Sequence, residues 1–183
     1  VATPRVSKHR VFVWLSPETV IDNALVGIAY SDDYSFGVLH SRIHEVWSLA
    51  LGTSLEDRPR YTPSTSFETF PFPEATEEQH QAISGAAKHL DDVRNHLLNA
   101  DSSLTMTKLY NELTVLKDER DPTARAFPLL LAHERLDQAV ATAYGWEWPL
   151  SDEEILGRLL ELNLSQSVGG VGEEPAAESQ TES

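Results

Sequence analysis

The sequence predicts a predominantly helical α+β fold, in which an incomplete α/β segment precedes a small four-helix bundle. Two short runs rich in β-branched and aromatic residues, Arg10–Leu15 and Ala24–Tyr30, are typical of strands. From Tyr34 to Leu51 the apolar residues instead recur at three- and four-residue steps, which indicates an amphipathic helix. After Pro73 the chain consists of further apolar stripes at helical spacing, separated by short breaks.

The first segment, residues 1–73, contains too few strands for a complete sheet. Ser16–Asn23 separates the two predicted strands, and Ser31–Asp33 marks a turn and a helix start. Gly52 ends the helix pattern. Because an isolated pair of strands is marginally stable in water, we expect this segment to be part of a larger α/β unit.

The stretch Leu51–Pro73 combines a charged loop with an aromatic, proline-rich strap. The loop carries Glu56, Asp57, Arg58 and Arg60. The strap places Tyr61, Phe67, Phe70 and Phe72 among prolines that restrict the backbone. We expect a buried, extended tie between two domains that holds the charged loop in a fixed pose, and we expect the function to lie in that loop.

Residues 74–164 are predicted to form the helical domain. Thr76–Gln79 has the spacing of a capping box, and a stripe from Ile83 to Leu97 follows it. Further helices are predicted over Thr105–Leu116, from about Ala126 to Tyr144, and from a Ser151 cap to about Asn163. Residues 165–183 are rich in Gly, Ser and Glu, and this acidic tail is predicted to be disordered.

Charge is distributed unevenly along the chain, whose formal net charge is −15. Residues 1–73 carry 6 basic and 8 acidic side chains, a net −2, which leaves −13 for the remainder. Because Lys and Arg supply the affinity for phosphate, any DNA-binding role must belong to the first segment. The chain contains no cysteine, which fits a reducing compartment, and no signal peptide or apolar run long enough to span a membrane. The first residue is Val1, and we interpret the chain as a piece of a longer one.

The motifs occur in an order that is specific to one family. SFGVLHSRIHEVWSLALGTSLEDRPRYTPSTSFETFPFP resembles the end of the target-recognition domain of MmeI-like adenine-specific DNA methyltransferases. These are the type IIL fused restriction–modification enzymes and their phage-defence (BREX-type) relatives. MTKLYNEL, AHERLDQAVATAYGW and LSDEEILGRLLELN resemble the C-terminal helical domain of the same family.

This resemblance implies a cytoplasmic parent enzyme that transfers a methyl group from S-adenosylmethionine to the N6 amino group of adenine in double-stranded DNA. The family's catalytic Asn/Asp-Pro-Pro-Tyr/Phe motif and glycine-containing cofactor loop do not occur in this chain, which has no Pro-Pro pair. We therefore expect no catalysis and no cofactor in this fragment, with a methyltransferase domain of the same polypeptide as its partner.

The resemblance also assigns candidate site residues. Family members read base edges in the major groove from the loop after the long helix, and the matching positions are Glu56 and Arg58, with Arg60 beside them. Arg can donate two hydrogen bonds to guanine and Glu can accept one from cytosine, so the pair suits one G·C base pair. Asn23 and Ala24 are weaker candidates for a neighbouring base. The candidate phosphate contacts are Lys8, Arg10 and Arg42.

Other interpretations of these residues remain open at the level of sequence. The charged loop is also typical of a solvated loop with a weak surface ion pair. His40 and His44 have the i, i+4 spacing of a metal pair, which would fit a metal hydrolase, although no third ligand is evident. The helices alone would also fit a non-catalytic module that binds another protein.

Overall fold

The structure, a computed structural model, describes residues 1–55 and 58–169. Its strands are short: β1 Ala2–Pro4, β2 Leu25–Gly27, β3 Thr53–Leu55 and β4 Arg58–Arg60. The helices are α1 Asp33–His40, α2 Arg42–Leu51, α3 Glu77–Ala100, α4 Met106–Glu119, α5 Phe127–Ala143 and α6 Asp152–Gly169. Helix therefore predominates, and the predicted α+β class is confirmed.

The strand pairing differs from the sequence prediction. β1 pairs with β2 in an antiparallel ladder, with Thr3 opposite Val26. On its other side, β1 meets the chain in one isolated bridge, in which Ala2 and Val13 exchange backbone hydrogen bonds of 2.9 Å. The predicted strand over Ala24–Tyr30 is thus confirmed at its centre, whereas the one over Arg10–Leu15 is wrong apart from this bridge.

The backbone of Phe12 explains why Arg10–Leu15 is not a ladder strand. Its N–H donates to Nδ1 of His40 at 3.1 Å, and its carbonyl accepts from Nη1 of Arg94 at 2.9 Å. Arg94 is only 1% exposed and also pairs with Asp91. Because side chains of α1 and α3 satisfy these polar groups, the segment needs no neighbouring strand there.

The helix predicted over Tyr34–Leu51 is two helices that meet at Ser41. The backbone of Ser41 is extended, with φ −73° and ψ 156°. Its hydroxyl donates to the Val38 carbonyl at 2.7 Å and accepts from the His44 N–H at 3.4 Å. Ser41 therefore ends α1 and caps α2, which is the role its short hydroxyl side chain favours over a helix interior.

The strap that follows β4 is buried, as predicted, but it is not extended throughout. Tyr61 and Phe70 are 1% and 5% exposed. Between them, Pro63–Phe67 forms a π-helical turn closed by a 2.9 Å hydrogen bond from the Glu68 N–H to the Pro63 carbonyl. Beyond Phe70, the carbonyl of Pro71 accepts from the Tyr144 hydroxyl at 2.7 Å, which ties the strap to the C-terminal end of α5.

Helix α1 packs against both α3 and α5, and Gly37 marks the closest approach. A Cβ at Gly37 would lie 2.9 Å from the Ala87 Cβ, 2.9 Å from the Ile83 Cγ2 and 3.2 Å from the Leu136 Cδ1. Only a residue without a side chain permits this spacing. The first segment and the later helices therefore share a continuous hydrophobic core.

The helix starts are set by local caps. Thr76 and Gln79 form the predicted capping box, in which each side chain accepts from the other residue's backbone N–H. Ser151 and Glu154 do the same at α6, with bonds of 3.3 and 2.9 Å. α6 continues to Gly169, past its predicted end, and the remaining predicted tail lies outside the described residues. None of the described helices combines the length and hydropathy needed to cross a membrane.

Candidate nucleic-acid interface

The charged loop of the sequence is mounted on a β-hairpin. β3 and β4 pair antiparallel, with Thr53 opposite Arg60. Arg58 and Arg60 lie two residues apart on β4, so their side chains share one face, and both are exposed while Pro59 between them is half-buried. Glu56, the acidic member of the predicted reading pair, lies outside the described residues.

The N-terminal segment braces this hairpin along β4. Val6 forms an isolated antiparallel bridge with Arg60. The Ser7 N–H donates to the Pro59 carbonyl at 3.3 Å, and the Tyr61 N–H donates to the Arg5 carbonyl at 2.7 Å. β4 is thus paired with β3 on one edge and with the N-terminal segment on the other, which fixes the backbone that carries Arg58 and Arg60.

The turn at Asn23 and Ala24 lies on the other side of the same segment. The Arg5 N–H donates to the Ala24 carbonyl at 2.7 Å, and Arg5 Nε donates to the Asn23 carbonyl at 2.9 Å. Asp22 Oδ1 shapes the turn by accepting from the Ala24 N–H at 2.9 Å. Arg5 is therefore bonded both to the Asn23–Ala24 turn and to Tyr61, the residue that follows β4, although these are far apart in the sequence.

The predicted phosphate contact Arg10 faces inward and is 8% exposed. Its Nη1 donates to Thr3 Oγ1 at 3.1 Å and to the Pro4 carbonyl at 2.5 Å, and its Nη2 donates to the Pro59 carbonyl at 3.3 Å. Burial lowers the pKa of this guanidinium to about 10. Arg10 is consequently used to hold β1 and β4 together rather than to meet solvent.

The other two predicted phosphate contacts also have partners inside the chain. Lys8 is exposed, and its Nζ donates to Asn111 Oδ1 of α4 at 2.7 Å. Arg42, at the start of α2, pairs with Glu45 and with Asp152 of α6, at 2.6 and 2.5 Å. Of these two residues, Lys8 is better placed to bind a phosphate, because its partner is a neutral amide, whereas Arg42 is already paired with two carboxylates.

His40 and His44 do not form a metal pair, because their ring nitrogens are already engaged. His44 Nδ1 donates to the Leu39 carbonyl at 2.8 Å, and its Nε2 accepts from the Tyr61 hydroxyl at 3.1 Å. Burial lowers the pKa of both rings, for His44 to about 4, which keeps them neutral. Within residues 1–55 and 58–169, no group of three or more His, Cys, Asp or Glu side chains is placed to hold a metal ion.

A relay of hydrogen-bonded side chains joins α1, α4 and α5, and no sequence motif indicated it. His40 Nδ1 accepts from a backbone N–H, so its Nε2 carries the proton and donates to the Tyr110 hydroxyl at 3.1 Å. That hydroxyl also forms a hydrogen bond of 3.2 Å with His133 Nε2. These residues line a cavity of about 230 Å³ that Asp137 also lines. Since the members come from three separate elements, no motif spacing could reveal them.

Comparison with known proteins gives concordant matches. Residues 2–74 match the family described as MmeI, target recognition domain. A curated relative, DNA methyltransferase A of Bacillus subtilis (strain 168), is 31% identical over 145 residues, covering 79% of this chain and 15% of that protein. The chain therefore spans only a small part of that relative.

A solved structure shares the fold. It is that of the type IIL restriction-modification enzyme MmeI in complex with DNA, with a TM-score of 0.70 and 23% identity. The match covers 91% of this chain and 21% of that enzyme. Because it covers 91% of this chain, the likeness extends beyond residue 74 into the helices that follow.

Proposed function

Because residues 2–74 match the MmeI target recognition domain family, we propose that this chain supplies the DNA sequence recognition of an adenine-N6 DNA methyltransferase. Methyl transfer from S-adenosylmethionine belongs to a methyltransferase domain whose catalytic motifs this chain lacks. The helices α3–α6 form the C-terminal helical domain of that enzyme and support the recognition segment. A DNA substrate implies a cytoplasmic location.

The observation that carries this proposal is the braced hairpin with two exposed arginines. Arg58 and Arg60 project from one face of β4, whose backbone is paired on both sides. A guanidinium held in this way can donate two hydrogen bonds to O6 and N7 of guanine, a contact worth about 1–3 kcal/mol of discrimination between bases. Glu56, two residues before Arg58 in the sequence, would accept from the N4 amino group of the paired cytosine.

The turn at Asn23 and Ala24 supplies the second reading element. Both residues are exposed, and their carbonyls accept from Arg5, while the Asn23 side-chain amide makes no hydrogen bond within residues 1–55 and 58–169. An Asn amide suits the N6 and N7 atoms of adenine, while an Ala methyl suits the methyl group of thymine. We assign the turn to a base pair next to the one that the hairpin reads. Lys8 is the phosphate contact that we retain.

The experiment is a selection of bound duplexes from a randomised pool by the 183-residue chain at low salt. Sequencing of the bound fraction gives the base preference at each position. Arg58→Ala and Arg60→Ala are expected to relax the preference at one position each and to leave the others unchanged. Arg135→Ala, which removes an exposed arginine of α5, is the matched control. Identical preferences for the two β4 variants and the unmodified chain would exclude base reading by this hairpin.

A further inference from the structure

Arg5 presents an open guanidinium between the two reading elements. We propose that Arg5 binds DNA directly, through a pair of acceptors that are either two phosphate oxygens or O6 and N7 of a guanine. The inference rests on the proposed function and adds to it a residue that neither the family motif nor the charge pattern singled out.

The backbone of Arg5 is fixed on both sides. Its N–H donates to the Ala24 carbonyl at 2.7 Å, and its carbonyl accepts from the Tyr61 N–H at 2.7 Å. The residue therefore moves with both the Asn23–Ala24 turn and the end of β4. Arg5 therefore lies between the turn and the end of β4 along the chain of hydrogen bonds that joins them.

The side chain is also partly fixed, and its donors are only partly used. Nε donates to the Asn23 carbonyl at 2.9 Å, which orients the plane of the guanidinium. The two terminal nitrogens have no hydrogen-bond partner in the described part of the chain, and neither is shut away from solvent. The nearby Asp22 carboxylate accepts from the Ala24 N–H rather than from Arg5.

This arrangement distinguishes Arg5 from the arginines that the sequence predicted as phosphate contacts. Arg10 donates to carbonyls of β1 and β4, and Arg42 is paired with two carboxylates. In Arg5, Nε is bound to the Asn23 carbonyl, whereas Nη1 and Nη2 remain available to a ligand. Because its geometry is set before binding, less conformational entropy is lost when two acceptors are bound at once.

The test measures dissociation constants of the 183-residue chain for selected duplexes by fluorescence anisotropy over a range of salt concentrations. Arg5→Ala is expected to weaken binding at least about tenfold at low salt. Arg5→Lys keeps the charge but not the planar guanidinium, and its dissociation constant is expected to lie between those of the unmodified chain and Arg5→Ala. Arg135→Ala is the control. Unfolding temperatures of all variants show whether the fold is retained.

Two further arms identify the acceptor. If Arg5 binds phosphate, Arg5→Ala weakens all duplexes alike and lowers the slope of log K against log salt by about 1. If Arg5 binds guanine, the loss is confined to duplexes with a guanine at one position, and 7-deazaguanine there reproduces it in the unmodified chain. Equal affinity of Arg5→Ala and Arg135→Ala for every duplex would overturn the inference alone. A lack of sequence preference in the unmodified chain would instead overturn the proposed function.

Discussion

The guanidinium of Arg10 lies over the ring of Tyr61, with its Cζ 4.9 Å from the ring centroid. The hydroxyl of Tyr61 donates to His44 on α2 at 3.1 Å. A buried chain of side chains thus runs from β1 through the end of β4 to α2. We expect these contacts to hold the end of β4, and with it the hairpin, against α2.

Replacement of Arg10 by Met is expected to loosen the hairpin without dissolving the helical core. The Pro4 and Pro59 carbonyls would lose a donor, at a cost of about 1–3 kcal/mol. Amide hydrogen exchange should accelerate at Ser7 and Tyr61, whose N–H groups brace β4, more than in α3 and α5. Arg135→Met is the control, and unchanged exchange at Ser7 and Tyr61 in Arg10→Met would contradict the role given to Arg10.

Two glycine-to-alanine changes should have opposite effects on stability. Gly37→Ala places a methyl group 2.9 Å from atoms of both Ala87 and Ile83, and it should lower the free energy of unfolding by about 1–3 kcal/mol. Gly85→Ala, in α3, meets nothing within 4 Å and should raise it by about 0.5–1 kcal/mol. Urea unfolding followed by circular dichroism measures both. Equal changes in the two variants would refute the close packing of α1.

Removal of the Tyr110 hydroxyl should destabilise the fold. Tyr110→Phe deprives His40 and His133 of a partner and is expected to cost about 1–3 kcal/mol of unfolding free energy. Tyr30→Phe is the matched control, because Tyr30 is 39% exposed and its hydroxyl makes no hydrogen bond within the described residues. Thermal and urea unfolding of the two variants should separate them clearly, and equal stabilities would argue against the relay.

Two histidines with lowered pKa values, His44 and His133, should make the protein sensitive to acid. Burial lowers the pKa of His44 to about 4 and that of His133 to about 3, from 6.5. Below pH 6.5 these imidazoles become protonated in the unfolded chain but stay neutral in the folded chain. Their contribution to the free energy of unfolding therefore falls as the pH drops from 6.5 toward 4. Proton NMR should show neither ring titrating near pH 6.5, and a midpoint there would contradict the prediction.

Asp137 should act in the opposite direction. Its carboxylate accepts from the Arg42 N–H at 2.7 Å, and burial raises its pKa from 3.8 to about 7. The folded chain therefore keeps a proton that the unfolded chain has lost, and this contribution to stability declines as the pH rises from 3.8 to about 7. Asp137→Asn retains an acceptor but does not titrate, so it should gain stability relative to the unmodified chain across this window. Parallel curves of unfolding free energy against pH would contradict the shift.

The sequence predicted those parts of the fold that depend on local chemistry. The capping residues Thr76 and Ser151, the apolar stripe of α3 and the burial of Tyr61 and Phe70 all follow from side chains close in the chain. The predictions were wrong where residues distant in the sequence determine the hydrogen bonding of a segment. Arg10–Leu15 has the composition of a strand, but side chains of His40 and Arg94 take the hydrogen bonds of Phe12.

The candidate site followed the same division. The sequence paired Glu56 with Arg58, and Glu56 lies outside the described residues, while the structure places Arg58 and Arg60 two residues apart on β4. Charge alone could not separate Arg10, which is buried against β4, from Arg5, which stays open beside it. That difference depends on which carbonyls lie within reach after folding. The base-reading roles themselves stay predictions.

The close packing at Gly37 has a practical consequence for attempts to alter the proposed DNA sequence preference. Transfer of residues 2–74 to an unrelated protein would remove α3 and α5, against which α1 packs, and would expose the apolar surface of α1 to water. Point exchanges on β4 and at the Asn23–Ala24 turn leave that contact untouched. Changes of base preference should therefore be made by substituting single side chains on β4 and at this turn, while the packing of α1 against α3 and α5 is retained.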